Sequence, residues 1–270
     1  MIRVTICQIK TELEREQTMR RAGEMLREAA DGGADFIVLP EMFNCPYSGH
    51  YFRKYAAEGH AATVEALSRL AAELGVYLVG GSVPEAEDGK VYNSCFIFDR
   101  RGALIARHRK VHLFDSDALG YPIRESDTFS PGDAITVFDT EFGPMGCAVC
   151  YDVRFPELFR AMSERGAQLI FLPAQFNMRS GPSHWEAMLR ARAFDYQTFV
   201  VGAATARNRD FRYECYGHST IIDPYGGVLA MGGEGEELVS AVVDLGQVEQ
   251  ARALLPSRSG LRRDVYCVAD

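Results

Sequence analysis

The chain lacks any apolar run approaching the ~20 residues a membrane span requires, which argues against a spanning helix. It also lacks a surplus of positive charge. Its 270 residues hold 29 Lys and Arg against 37 Asp and Glu, a net charge of −8. Nucleic acid is therefore not expected as a partner, because binding phosphate backbones needs excess Lys and Arg. The seven cysteines (7, 45, 95, 147, 150, 215 and 267) are odd in number and scattered through apolar runs. No regular spacing suggests a disulfide framework. No charged start with an apolar run and cleavage site precedes the strand-like Ile2-Arg3-Val4-Thr5-Ile6, so a cytoplasmic protein with reduced thiols is the expectation.

Several catalytic templates are missing as well. There is no Gly-x-Ser-x-Gly elbow, no phosphate-cradling Gly-x-x-x-x-Gly-Lys-Ser/Thr and no Gly-x-Gly-x-x-Gly after a strand. His108 and His112 are four apart but without the Glu of a zinc-protease helix. Cys147 and Cys150 form a Cys-x-x-Cys, which reads as part of a strand, where side chains three apart point to opposite faces. No metal or dithiol site is expected.

What is present is an alternation of short apolar runs and helical patterns. Strands are expected at 2–9, 35–39 and 76–80, with helices at 14–30 and 61–74 between them. Strands at 92–98 and 103–107 flank Asp99-Arg100-Arg101-Gly102, a hairpin signal. Residues 112–134 read as a long loop, the kind that is often functional. The rhythm returns with strands at 145–149, 168–172 and 199–203 and helices at 156–165 and 182–197, followed by strands at 217–223, 228–231 and 237–244. With no Pro/Ser-rich linker to divide it, residues 1–270 read as one α/β domain of 47% hydrophobic composition, ample for a large core. Two βαβαβ halves packing their sheets together give a four-layer αββα sandwich. Periodicity alone also allows a doubly wound sheet.

Three chemical groups stand at the ends of strands. Cys150 follows an apolar strand and precedes a helix opening at Pro156, Glu41 follows Phe36-Ile37-Val38-Leu39-Pro40, and Lys110 follows Ala103-Leu104-Ile105-Ala106-Arg107. Strand C-termini are the usual location of α/β active sites. A nearby lysine or helix N-terminus would lower the thiol pKa and make thiolate accessible near neutrality. Taken singly, each has a plainer reading: a small buried hydrophobe for Cys150, a solvated or salt-bridged carboxylate for Glu41, a solvated basic edge or phosphate patch for Arg107-His108-Arg109-Lys110.

Taken together and in order, Leu39-Pro40-Glu41, Arg109-Lys110-Val111-His112-Leu113-Phe114 and Cys150-Tyr151-Asp152-Val153-Arg154-Phe155-Pro156-Glu157 resemble the three signatures of the nitrilase (carbon–nitrogen hydrolase) superfamily. The resemblance spans essentially the whole chain. It is greatest to the omega-amidase branch, through 40–47 and 176–186. It implies the αββα sandwich, a Glu41–Lys110–Cys150 triad acting through a thioester, and a supporting Glu125. It also implies an oxyanion donor in the Tyr151 backbone N–H, no metal or organic cofactor, and a homodimer formed through the 182–197 helix and the C-terminal tail. Its expected substrate is a small dicarboxylate monoamide such as 2-oxoglutaramate, with Arg154 on the free carboxylate, Phe176 and Ser180 lining the same pocket and Tyr47 closing it. The alternative for Arg154 is an ion pair with Asp152 or Glu157. Arg179, where a smaller polar residue is expected, and residues 119–124 depart from the family pattern. An N-carbamoyl-amine or N-carbamoyl-amino-acid hydrolase is the nearest rival, and a catalytically idle binding protein the rival of another class.

Overall fold

The computed structural model describes residues 1–117, 122–262 and 264–265. Its first half begins with β1 (Ile2–Gln8), α1 (Arg15–Asp31), β2 (Phe36–Val38), α2 (Gly49–Glu58) and α3 (Ala61–Leu74). It continues through β3 (Tyr77–Glu87), β4 (Lys90–Phe98) and β5 (Leu104–Arg109) to a short ladder of β6 (Asp115–Ser116) and β7 (Ile123–Arg124). The second half holds β8 (Thr136–Thr140), β9 (Gly143–Cys147), α4 (Pro156–Glu164), β10 (Leu169–Ala174), α5 (Gly181–Tyr196) and β11 (Phe199–Ala204). β12 (Thr220–Ile222), β13 (Val228–Met231), β14 (Glu237–Val243) and α6 (Gly246–Leu254) complete the described elements.

The strands divide into two six-stranded sheets, ordered β14-β1-β2-β3-β4-β5 and β13-β12-β11-β10-β9-β8. The division excludes a doubly wound sheet. Within each sheet three central strands run parallel, β1-β2-β3 and β9-β10-β11. The period-2 alternation of a strand assigns the faces. Phe36 and Val38 of β2 belong to the core shared with Met145, Cys147 and Phe171 of the other sheet. The intervening Ile37 packs with Met25, Leu26, Leu67 and Ala71 of α1 and α3. Phe36 meets Phe171 across the seam at 5.4 Å between ring centroids. On the far side α5 lies against β11 so closely that a Cβ on Gly202 would sit 2.7 Å from Leu189 and Trp185. Helix, sheet, sheet, helix is therefore the layer order.

Three expectations change. The strand before the cysteine ends at Cys147, and Cys150 opens a one-turn 3₁₀ helix, Cys150–Arg154. Cys147 and Cys150 thus do not share a strand. The segment 112–134 is not uniformly loop, since it contains the β6–β7 ladder and a 3₁₀ turn at Glu125–Asp127. Helices α2 and α6 were not anticipated. Residues 119–121 of the 119–124 segment lie outside the described residues, as do 263 and 266–270 of the C-terminal tail. No helix among the described residues is long and apolar enough to cross a membrane.

Candidate active site

Pro40 and Glu41 leave β2 at its C-terminal end, and the Glu41 carboxylate is fully buried. Oε1 accepts from Asn93 Nδ2 at 2.8 Å and Lys110 Nζ at 2.9 Å, and Oε2 accepts from the Gln175 N–H at 3.0 Å. Gln175 stands just past β10 in the other sheet, and its side-chain amide donates to the Glu41 carbonyl at 2.7 Å. Lys110 continues β5, its N–H bonded to the Asn93 carbonyl at 2.9 Å. Its ammonium also reaches Glu125 Oε1 at 2.9 Å. Glu125 is fixed in turn by the Tyr47 hydroxyl at 2.5 Å and the Phe114 N–H at 2.6 Å. One buried ammonium thus lies between two buried carboxylates.

These charges are not independent. Burial works against the Lys110 cation, but Glu125 and Glu41 overcome it and hold its pKa well above the ordinary lysine range. Burial pushes Glu125 up, and the proximity of Glu41 adds to this, against the pull of Lys110. Desolvation likewise keeps the Tyr47 and Tyr213 phenols protonated.

Cys150 sits on the same cluster with backbone φ of 46°, in the left-handed region, where a non-glycine residue is uncommon and strain often marks function. Its side chain is 6% exposed. Burial raises the thiol pKa well above its ordinary value, and Glu41, which hydrogen-bonds the thiol, raises it further, with Lys110 opposing. Lys110 thus lowers the thiol pKa as expected, but the expected net lowering is not found, because desolvation by the surrounding sheets outweighs the lysine. Met42 shares the same strained φ of 46° beside Glu41.

A cavity of about 500 Å³ opens over Cys150, with Tyr151, Arg154, Phe176, Ser180 and Arg179 in its wall. The Arg154 guanidinium lies 5.6 Å and 5.5 Å from the ring centroids of Tyr151 and Phe176. Its Nη2 is 3.2 Å from His184 Nδ1. It does not pair with Asp152, whose carboxylate is taken up by His108 and His112. Ser180 donates to Asn177 Oδ1 from both its N–H and its hydroxyl, at 3.1 and 3.3 Å. Tyr47 is not a wall of this cavity: it lies behind Glu125, stacked on Tyr213 at 4.4 Å. The Arg107–Lys110 segment is no solvated edge, since His108 and Lys110 are buried and Arg107 and Arg109 pair with Glu85 and Glu87.

Sequence reading missed Asn93, Gln175 and Tyr213. Tyr213 donates to the Gln175 carbonyl at 2.6 Å. Asn93 and Gln175 are polar residues in apolar strand runs, which was the available signal. Among the described residues no group of His, Cys, Asp and Glu is arranged to hold a metal ion.

The family model described as carbon-nitrogen hydrolase matches residues 3–253. The chain is 42% identical over 269 residues to the omega-amidase NIT2 of Xenopus tropicalis, covering 99% of this chain and 98% of that protein. Against the Homo sapiens omega-amidase NIT2 it is 41% identical over 267 residues, covering 98% and 97%. The crystal structure of Saccharomyces cerevisiae Nit3, a member of branch 10 of the nitrilase superfamily, superposes with a TM-score of 0.88 at 38% identity, covering 94% of each chain. By the family match over residues 3–253 and these relatives, the chain belongs to the carbon–nitrogen hydrolase family of the nitrilase superfamily and is an amidase acting on non-peptide amides.

Proposed function

We propose that this amidase is of the omega-amidase type, hydrolysing the terminal amide of a small dicarboxylate monoamide such as 2-oxoglutaramate to carboxylate and ammonia. The observation that carries this reading is that Cys150, in a cavity whose wall also holds Arg154, is backed by the buried Glu41–Lys110 pair. The identity to proteins named omega-amidases supports the substrate class.

Glu41 takes the Cys150 proton as sulfur attacks the amide carbon. Lys110 Nζ and the Tyr151 N–H stabilise the oxyanion that forms. Removing one such donor costs about 10²–10³ in rate. Collapse breaks the C–N bond, and Glu41 returns the proton to departing ammonia. Glu41 next deprotonates water, which attacks the thioester carbonyl and restores the thiol. Glu125, tied to Lys110 and Tyr47, positions the lysine.

Arg154 anchors the free carboxylate through charge-assisted hydrogen bonds. Cys150→Ala abolishes turnover while the protein stays folded, and retained turnover would sink the mechanism. Arg154→Met raises KM for a carboxylated amide by roughly 10–100-fold and leaves hydrolysis of a neutral short amide nearly unchanged. Equal losses on both substrates refute the anchor. An ammonia-release screen over small monoamides, run beside carbon dioxide release from N-carbamoyl substrates, separates this reading from the N-carbamoyl hydrolase. We further propose that the chain self-associates as a homodimer through the α5 face.

A further inference from the structure

Asp152 has no part in the proton transfers above, yet its carboxylate accepts four hydrogen bonds beside the site. It is completely buried. Oδ2 accepts from the Val149 N–H at 2.9 Å and from His108 Nε2 at 3.2 Å. Oδ1 accepts from the His112 N–H at 2.9 Å and from His112 Nδ1 at 2.8 Å. A carboxylate can only accept, so both imidazole nitrogens facing it carry hydrogens. His108 Nδ1 faces Thr136 Oγ1 of β8 at 2.9 Å. The His112 ring lies flat on Phe155, 3.5 Å between centroids and 8° from parallel.

The placement of these donors is what gives the carboxylate a role. His108, among the last paired residues of β5, and His112, just beyond it, stand two residues either side of Lys110, where the chain leaves the first sheet. Val149 stands one residue before Cys150, in the segment that leaves the second. Both halves of the oxyanion site, the ammonium and the Tyr151 N–H, therefore depend on one buried anion for their relative position. The Val149 bond caps the 3₁₀ turn that presents the Tyr151 N–H. A misplacement of about 1 Å in such a constellation can cost about 10²-fold.

The geometry points to Asp152 as a positioning residue that registers Lys110 against the Cys150–Tyr151 turn, with His108 and His112 as its arms. This rests on the reading of Cys150 as nucleophile. Its consequence is selective: Asp152 serves the oxyanion site, which amide hydrolysis needs. A thiol reaction without a carbonyl needs only Glu41 and Cys150.

The test compares ammonia release with the rate at which methyl methanethiosulfonate, a small reagent with no carbonyl, caps Cys150. Asp152→Asn lowers kcat about 10²–10³-fold, with KM and the capping rate each changed by less than about fivefold. His112→Gln, at a partly exposed position, gives the same split with a kcat loss of roughly tenfold, and it decides the matter if Asp152→Asn does not fold. Parallel loss of both rates, following the folded fraction in a thermal melt, makes the network merely structural and overturns the inference. No loss of kcat also overturns it. Cys150→Ala distinguishes the levels. If Cys150→Ala still releases ammonia, the functional reading itself falls. If Cys150→Ala is inactive and Asp152→Asn is unimpaired, only the positioning role falls.

Discussion

At the scale of single residues, the site is organised by desolvation before it is organised by charge. Lys110 sits at hydrogen-bond distance from both Glu41 and Glu125. With all three ionised, the buried cluster would carry a net negative charge, and Glu125 is pushed toward its protonated form. The same logic keeps Cys150 a thiol at rest. Its acid form is the neutral one, so a pKa raised by burial and by Glu41 means that the protonated form dominates at pH 7. On the proposed mechanism the proton leaves in the same event as the attack, with Glu41 as the base in contact. The ultraviolet difference spectrum between the wild type and Cys150→Ala therefore shows no thiolate band at pH 7. A band grows in only above the ordinary thiol range of about 8.5, and its presence at neutrality would disprove the assignment.

Secondary-structure elements place these groups through backbone contacts that leave little room for side chains. β3 breaks its register with β4 between Val79 and Ser82. The irregularity brings Gly81, at φ +62, under the Glu41 turn, where a Cβ would stand 2.2 Å from the Pro40 carbonyl oxygen. Ser82 completes the support by accepting the Met42 N–H at 3.1 Å on its hydroxyl. Gly81→Ala combines a left-handed φ with a backbone collision. It lowers unfolding stability by about 1–3 kcal/mol and reduces kcat by displacing Glu41. Denaturant melts and steady-state rates that both match the wild type would exclude this role. Elements also differ in how well the sequence announces them. α3 was legible to the residue, because its apolar face is regular and Gly75 caps it at φ 66°. α2 was not, since only Phe52, Tyr55 and Ala56 are buried and the two buried aromatics pack into a local cluster with Phe129 and Tyr213. Glu125 was reached only through the family resemblance, because its partners, Tyr47 and Lys110, come from 78 and 15 residues away.

On the scale of the whole molecule, the site is a seam between sheets, which is why the motifs were readable and their supports were not. Glu41 and Lys110 come from the first sheet, Cys150 and Gln175 from the second. The bond from the Gln175 N–H to Glu41 spans 134 residues of sequence. Period and strand-end position could find the three groups one at a time, and the ordered motifs could relate them. Asn93 and Gln175 stood out only as polar residues in apolar runs, and the partners of Gln175 and Asp152 across the seam become visible only once the sheets are stacked. The outer surface carries a further apolar feature. Phe194 on α5, Tyr225 in the β12–β13 turn, and Leu254 and Leu255 at the end of α6 are 52%, 42%, 68% and 51% exposed. Phe194, Tyr225 and Leu255 line one groove. Large apolar side chains gathered on one face favour burial against another surface, and a two-fold dimer presents the same patch twice. Sedimentation velocity should give a species of twice the 30.0 kDa chain mass, and Phe194→Asp should shift it toward monomer without loss of the fold. A wild-type monomer at micromolar concentration refutes the homodimer, and an unshifted Phe194→Asp dimer moves its interface away from this groove.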